Sequence, residues 1–546
     1  MPIEHRSSYA VPARPSESRD PSTGERWRSF AAASLAEIAE TVARAREAQA
    51  AWGACPVADR VAKLRRFHDV LFRRRLEVAA MLTRENGKPT AEAMSTEVAV
   101  VLDMASYYAG HTPRFLRAPW FSASALAMKR KRIRVLREPF GVVAVISPWN
   151  YPFMLSAAIV VPALATGNAV LLKPSELTPS IGALLAELLY EAGVPRDVFS
   201  VLQGDGTTGA ALVEAEVDKV FFTGSVAAGR SVALRCAERL IPCGLELGGS
   251  DAAIVLADAD VTHAASGIAF GRFSNGGQTC VAPKRVFVEH AAYDAFVEAM
   301  RVTLAALRVG PGANPDTDVG PMIRERAVAA LAAQRDDATA RGATVITSRM
   351  PGATAPAMSG AESPVVPSTG DGVGRYFPPT VLLNVAAESM VLNEETFGPL
   401  LPVVCVRDAD DAVARANATE FGLSASIWSR DTARATLLAE RLVAGSVTIN
   451  DSIVTAGMAD VPHGGLRQSG MGRTHGMAGL EECVRTKAIV ADRFPAWRQG
   501  WWFGYSREHA AGVDAFVRLA HSTSLWERAS AIPAFLRLLF APSRPV

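Results

Sequence analysis

Charge of one sign is missing from this chain. Its 57 lysines and arginines nearly balance 55 aspartates and glutamates, leaving a formal +2. No strong field therefore recruits nucleic acid or an anionic membrane. The most basic run, Lys129-Arg130-Lys131-Arg132, is short and flows into Ile133-Arg134-Val135-Leu136. That alternation suits a strand with one wet face. Cysteine is sparse as well: Cys55, Cys236, Cys243, Cys280, Cys405 and Cys483 are scattered, with no Cys-x-x-Cys and no Cys/His cluster. The spacing excludes a structural zinc site and points to a reduced, cytoplasmic protein. No run reaches the roughly 20 apolar residues of a membrane-spanning helix. The opening Met1-Pro2-Ile3-Glu4-His5-Arg6 has no apolar stretch behind it, so no secretory signal is expected. No internal repeat is present.

What is there is ordinary globular composition over 546 residues, too long for one simple core, so two or three domains are expected. Helical periodicity covers Leu35 to Gln49, Ala58 to Asn86 and Ser95 to Ala109. From Val135 the texture changes. Val142–Ile146, Ala169–Leu172, Phe199–Leu202 and Lys219–Phe222 are short apolar runs, with helical patterns at Ser156–Ala165 and Ser180–Ala192 between them. This βαβ alternation predicts an α/β fold with a doubly wound parallel sheet. A second α/β unit follows, with strands near Ala252–Leu256, Arg285–Val288, Thr344–Thr347, Leu401–Val406 and Ser446–Ile449. Residues 349–374 are rich in Pro, Gly, Ser and Ala without periodicity and read as a surface loop insertion. Beyond Ala491, Trp497, Trp501, Trp502, Phe503 and Tyr505 crowd together ahead of the amphipathic or apolar stretches Val513–Leu519 and Ile532–Phe540. Packing on the same or a neighbouring subunit, a lid over the substrate entrance, and an interfacial membrane contact all remain open for this tail.

Several short segments are candidates for chemistry. Gly204-Asp205-Gly206-Thr207-Thr208-Gly209 follows a strand and satisfies G-x-G-x-x-G. The acidic residue expected at the end of the next strand is missing, for that strand closes in Thr223-Gly224-Ser225. The motif is either a tight turn or a phosphate cradle. Thr223–Gly229 is the better phosphate candidate, because Ser225 can cap the following helix and leave its amides facing an anion; an ordinary capped turn is the alternative. Lys173-Pro174-Ser175-Glu176 closes a strand, where a doubly wound sheet binds its ligands. The pair can hold the two hydroxyls of an adenosine ribose or be a solvated loop pair. Ser147-Pro148-Trp149-Asn150 leaves the neighbouring strand, and Asn150 offers an amide donor between two prolines. Such a donor aimed at an oxyanion is worth about a hundredfold to a thousandfold in rate. Cys280 lies in Phe273-Ser274-Asn275-Gly276-Gly277-Gln278-Thr279-Cys280, where the glycines leave the backbone open to a ligand. A thiol is only a few per cent ionised at neutral pH and needs a base, for which Glu246 in Glu246-Leu247-Gly248-Gly249 is the candidate.

Taken in order, Ser147–Asn150, Lys173–Glu176, Phe222–Ser225, Glu246–Gly249, Phe273–Cys280 and Glu395-Thr396-Phe397-Gly398-Pro399 resemble the aldehyde dehydrogenase superfamily. Pro21–Glu25, Val319–Ile323, Pro462–Gly465 and Ser469–Arg473 add to the match, which spans roughly residues 20 to 491. The resemblance implies that the Cys280 thiolate attacks an aldehyde, with the Asn150 side chain and the Cys280 amide holding the oxyanion. It implies that Glu246 activates water to release the acid from a thioester. NAD, with NADP also possible, would be bound by Ile146, Ser147, Pro148, Trp149, Lys173, Ser175, Glu176, Gly206, Phe222, Thr223, Gly224, Ser225, Leu247, Gly248, Glu395 and Phe397. No metal is expected.

The implied architecture is a Rossmann-like coenzyme domain (20–128 and 142–248), an α/β catalytic domain (249–464), a β oligomerisation arm (129–141 and 484–491) and a C-terminal extension (492–546). A homodimer or homotetramer would follow. Departures from the family pattern are Ser250-Asp251 after Gly249, where many relatives have Lys, and His463, where Phe is common. Thr279 and Val281 suggest an apolar pocket, hence a medium or long aliphatic or an aromatic aldehyde. Succinic semialdehyde oxidation, a CoA-acylating reaction and a catalytically silent binding protein are the alternatives. Glu246 argues against the CoA route, since a thiol needs a base less than water does.

Overall fold

The computed structural model describes residues 13–125, 128–348, 375–494, 502–503 and 505–540. The expected loop at 349–374, Trp497 and Trp501 lie outside the described residues. The chain divides into a body, which runs to Phe115 and resumes over Glu138–Arg485, and a smaller unit of Leu116–Arg137 with the chain from Thr486 onward.

The body is built on two large sheets and also holds a two-stranded antiparallel one, Ser16–Arg19 with Arg26–Phe30. In the first, the strand order is Phe199–Val201, Ala169–Lys173, Val142–Ile146, Lys219–Thr223, Cys243–Glu246, with Gly470–Met471 closing the edge antiparallel. Numbered along the chain this is the order 3-2-1-4-5 of a doubly wound sheet, whose direction reverses between Val142–Ile146 and Lys219–Thr223. Val142–Ile146 and Ala169–Lys173 are buried at every position, as strands covered on both faces must be. The connecting helix Pro152–Thr166 is buried throughout and apolar on all sides. Its first turn lacks a cap from its own N-cap residue; instead Glu97 Oε2 accepts from the amides of Phe153 (2.8 Å) and Met154 (3.1 Å). Glu85 serves the helix Pro179–Glu191 in the same way, accepting from Ser180 (2.9 Å) and Ile181 (3.0 Å). Two carboxylates from the N-terminal helices thus pin the helices that follow the Ser147–Asn150 and Lys173–Glu176 turns.

The second sheet has seven strands, ordered Thr344–Thr347, Thr380–Leu383, Leu400–Val406, Pro283–Glu289, Asp251–Val255, Ser424–Trp428, Ser446–Ile449. Only its first pair is antiparallel. All the expected strands form. Cys243–Glu246, Thr380–Leu383 and Ser424–Trp428 are additional to them. The expected helix Ser95–Ala109 begins as a π turn, Met94–Val98, that runs into Ala99–Phe115.

The smaller unit holds a three-stranded sheet, Val484–Asp492, Lys131–Pro139, Phe121–Ser122. This unit overlaps the residues expected for the arm, 129–141 and 484–491, with different bounds, Leu116–Arg137 and Thr486 onward. Asp492 accepts from Lys131 Nζ (2.7 Å) and Arg130 Nε (3.2 Å), which neutralises part of the basic run. The tail forms two helices, Arg507–His521 and Leu525–Phe540, that pack together with Phe516 and Phe535 rings 5.7 Å apart. Trp526, Leu525 and Phe503 of this unit are strongly exposed. Among the described residues no helix is long and apolar enough to cross a membrane, and no group of three or more His, Cys, Asp or Glu can hold a metal ion.

Candidate active site

Cys280 follows the helix Val261–Phe273 and precedes the strand Pro283–Glu289. Between them the backbone passes through three consecutive left-handed residues, Asn275 (φ 53°), Gly276 (61°) and Gly277 (73°). Asn tolerates this region better than most residues, and glycine occupies it freely. A Cβ on Gly277 would also overlap the backbone of Gly398, so this segment lies directly on Glu395–Pro399. The coil is tied down by Gln278, fully buried, whose Nε2 donates to Asn275 O (2.8 Å) and whose Oε1 accepts from Ile323 N (3.0 Å).

Asn150 is brought against this loop from the first sheet. Its Nδ2 donates to Gln278 O (3.1 Å), two residues before the cysteine. Its own carbonyl accepts from Asn275 Nδ2 (2.7 Å) and Lys88 Nζ (3.0 Å). Lys88 in turn is paired with Glu97 at 2.6 Å, both side chains fully buried. Tyr151 Oη and Thr279 Oγ1 lie 2.9 Å apart and close the contact. One buried network therefore links the π turn, the end of strand Val142–Ile146 and the cysteine loop.

Glu246 ends the strand Cys243–Glu246 and is buried, with Oε2 lacking any partner. Burial raises its carboxyl well above the usual range, against the nearby Arg473 cation, which lowers it. The Cys280 thiol is pushed up to about 12, first by burial and then by the charges of Asp251, Glu246 and Glu395, while Lys284 lowers it. Without a base to take its proton, this thiol is neutral at pH 7.

Lys284 was not anticipated. Its fully buried ammonium lies under the loop, donating to the carbonyls of Cys280 and Thr279 (3.2 Å for the latter). A lysine heading a continuous apolar strand was the available signal, for a cation there must be buried with partners. Asp251, one of the departures from the family pattern, is its buried counter-charge: burial raises the Asp251 carboxyl to about 6 and lowers the Lys284 ammonium, and the opposite charge of each partner works against both shifts. The other departure, His463, is buried with Nδ1 unpartnered and pushed down to about 4 by burial and then by Arg473, so it is neutral at pH 7.

The remaining expected residues gather at the carboxyl ends of the first sheet. Ile146 is buried; Ser147 N donates to Lys173 O (3.1 Å), while Ser147 Oγ is buried without a partner. Pro148 carries the chain on to Trp149, whose ring meets Phe397 edge to face at 5.6 Å. Lys173 is buried, and burial lowers its ammonium. Ser175 Oγ accepts from Leu177 N at 3.3 Å and lies 3.4 Å from Glu176 Oε2. Phe222 packs where a side chain on Gly224 would be, and Thr223 stands opposite Glu246 in the parallel pair. Ser225 caps the helix Val226–Glu238 through Ala228 N (3.4 Å), and Leu247 fills the space beside Gly229 on that helix. Glu395 Oε1 accepts from Gly249 N (3.1 Å), and its carboxylate lies so close to Gly248 that a Cβ there would overlap it. Gly206 opens the helix Gly206–Glu214 with free space where a side chain would stand, and Gly209 of the same turn faces Lys173.

These features fit a dinucleotide. Lys173 and Glu176 stand at strand ends beside the reversal point, two capped helix N-termini offer amides to a pyrophosphate, and the orphaned Ser147 hydroxyl has no protein partner.

Residues 10–489 match the aldehyde dehydrogenase family. The chain is 38% identical over 487 residues to 4,4'-diapolycopene aldehyde oxidase of Methylomonas sp, covering 89% of this chain and 87% of that one. It is 38% identical over 483 residues to succinate-semialdehyde dehydrogenase [NADP(+)] of Deinococcus radiodurans, covering 88% and 96%. The crystal structure of NAD-dependent aldehyde dehydrogenase from Sinorhizobium meliloti superposes with a TM-score of 0.82 at 34% identity, covering 90% and 93%. The two-sheet body with its buried cysteine loop thus belongs to the aldehyde dehydrogenase family, and the protein is an NAD(P)-dependent enzyme that oxidises aldehydes.

Proposed function

We propose that Cys280 is the nucleophile, Glu246 its base and Asn150 the oxyanion donor of this oxidation. The supporting observation is the Asn150 Nδ2 to Gln278 O bond at 3.1 Å, which aims the amide at the cysteine loop. Glu246 takes the thiol proton, and Cys280 Sγ adds to the carbonyl carbon. The resulting alkoxide accepts from the Asn150 amide and the Cys280 N–H. NAD(P)⁺ bound at this site would supply the hydride acceptor, and loss of hydride from the thiohemiacetal carbon would leave a thioester on Cys280. Glu246, whose Oε2 is unpartnered, then removes a proton from water, and hydroxide displaces Cys280 to release the carboxylic acid. Ile146–Trp149, Lys173–Glu176, Gly206, Phe222–Ser225, Leu247, Gly248, Glu395 and Phe397 would hold the dinucleotide.

The substrate reading is a medium or long aliphatic or an aromatic aldehyde. Buried Thr279 and Val281 flank the nucleophile, and the carboxyl groups of Asp251, Glu246 and Glu395 near the thiol disfavour a second carboxylate. Relatives named succinate-semialdehyde and glutarate-semialdehyde dehydrogenase, the second from Pseudomonas aeruginosa, keep the dicarboxylic alternative as second reading. We assign the arm sheet to subunit contact in a homodimer or homotetramer, and the exposed Trp526 and Leu525 to packing on a neighbouring subunit. Peripheral membrane contact is the competing role for them. A cytoplasmic location rests on the six free cysteines.

The test is NADH formation at 340 nm with a panel of aldehydes graded by length and charge. Turnover that vanishes in Cys280→Ala, and is fastest for uncharged apolar aldehydes, is expected. Undiminished turnover in Cys280→Ala would overturn the assignment of the nucleophile, and a preference for succinic semialdehyde would overturn the substrate reading.

A further inference from the structure

The carboxylate of Glu176 is held between two cations from distant parts of the chain. Its Oε2 lies 3.7 Å from Lys173 Nζ, at the end of the strand that precedes it. Its Oε1 accepts at 2.7 Å from Nη2 of Arg324, 148 residues further on. Arg324 stands immediately before the helix Glu325–Ala340, so its backbone is anchored while its guanidinium reaches across to the first sheet.

The two cations differ in freedom. Lys173 is buried, with 4% of its side chain exposed, whereas Arg324 and Glu176 expose 24% and 35%. A part-exposed pair is screened by water and opens at little cost. The local charges are Lys173 and Arg324 against Glu176 and Asp205, the last of which acts on Lys173. With Arg324 they cancel; without it the adenosine end of the site is net negative and would repel a phosphate on the ribose. Arg324 gives Glu176 a single hydrogen bond, whereas a guanidinium can give a phosphate two parallel charge-assisted ones.

We propose that Arg324 sets coenzyme choice: it stays on Glu176 when the ribose carries a free 2′-hydroxyl and moves to the 2′-phosphate of NADP⁺ when one is present. The site then accepts both coenzymes despite the carboxylate. This rests on the assignment of Lys173 and Glu176 to the adenosine ribose.

The experiment is calorimetric titration of the full chain with adenosine 2′,5′-bisphosphate and with 5′-AMP, alongside kcat/KM for NAD⁺ and NADP⁺. In Arg324→Gln, affinity for the bisphosphate and the NADP⁺/NAD⁺ ratio of kcat/KM both fall about tenfold, the loss of one charge-assisted pair. In Glu176→Gln the same ratio rises. An Arg324→Gln protein in which bisphosphate and AMP weaken equally would overturn the proposal while leaving the ribose assignment standing. A Glu176→Gln protein that binds 5′-AMP as tightly as the wild type would overturn the ribose assignment, and the proposal with it.

Discussion

At the scale of single residues, the site is governed by burial. Cys280 is pushed up to about 12 and Glu246 well above the usual carboxyl range, in both cases chiefly by loss of water. A half-buried thiol of that kind gains thiolate steadily as pH rises towards its pKa. Alkylation of Cys280 by iodoacetamide in the coenzyme-free enzyme is therefore expected to accelerate about tenfold per unit between pH 7 and 9. Lys284→Met, which removes the cation that lowers the thiol, should slow it at every pH. A rate that levels off below pH 7 would show the thiolate to be stabilised by something other than this arrangement. Cys280, Asn150 and Glu246 were open to proposal from the sequence because each lies in a short run whose neighbours make chemical sense locally. Lys284 was not, since its reason for being there is Asp251 and the carbonyls of its own turn. Arg324 was equally hidden: its partner Glu176 is 148 residues away, and only the fold brings them together.

At the scale of elements, the π turn Met94–Val98 repays study. It sets Glu97 so that one oxygen takes Lys88 Nζ at 2.6 Å and the other the first amides of Pro152–Thr166. Such turns recur at functional sites, where they re-aim a side chain. Glu97→Gln leaves a buried lysine unpaired and is expected to destabilise the fold by about 3–5 kcal/mol, read as a lowered denaturant midpoint. Because Lys88 also holds the Asn150 carbonyl, kcat should fall with it, at temperatures where the variant is folded. Unchanged stability would mean that the pair is replaced by water without cost. The periodicity that showed a helix over Ser95–Ala109 could not show a change of helical register. Strands told a similar story. Apolar runs such as Val142–Ile146 announced themselves, whereas Ser424–Trp428 hides its apolar face among serines, one of which, Ser426, receives the Trp428 indole N–H at 3.2 Å. Cys243–Glu246 is short and contains a glycine, which weakens a strand pattern.

At the scale of the whole molecule, the proposed reaction draws on two sheets of the body. The seven-stranded sheet presents Cys280, the proposed nucleophile, on its loop before Pro283–Glu289. The six-stranded sheet carries Asn150 and Glu246 at strand ends, and Lys173 and Glu176, proposed for the coenzyme, at the same edge. This division was readable in outline from the βαβ alternation. The meeting of the loops was not, because it depends on Asn275, Gln278 and Lys88, whose bonds cross 45 or more residues to Ile323 and Asn150. The central claim is that acyl transfer passes through Cys280 and is released by Glu246. Its most direct test is intact and peptide mass spectrometry of Glu246→Gln, incubated at pH 9, where the thiolate forms slowly without the Glu246 base, with NAD⁺ and an aromatic aldehyde and then quenched in acid. One acyl group per chain, a mass increase equal to the aldehyde less two hydrogens, is expected on the peptide that contains Cys280. An adduct on another residue, or rapid steady-state turnover with no adduct at all, would contradict it.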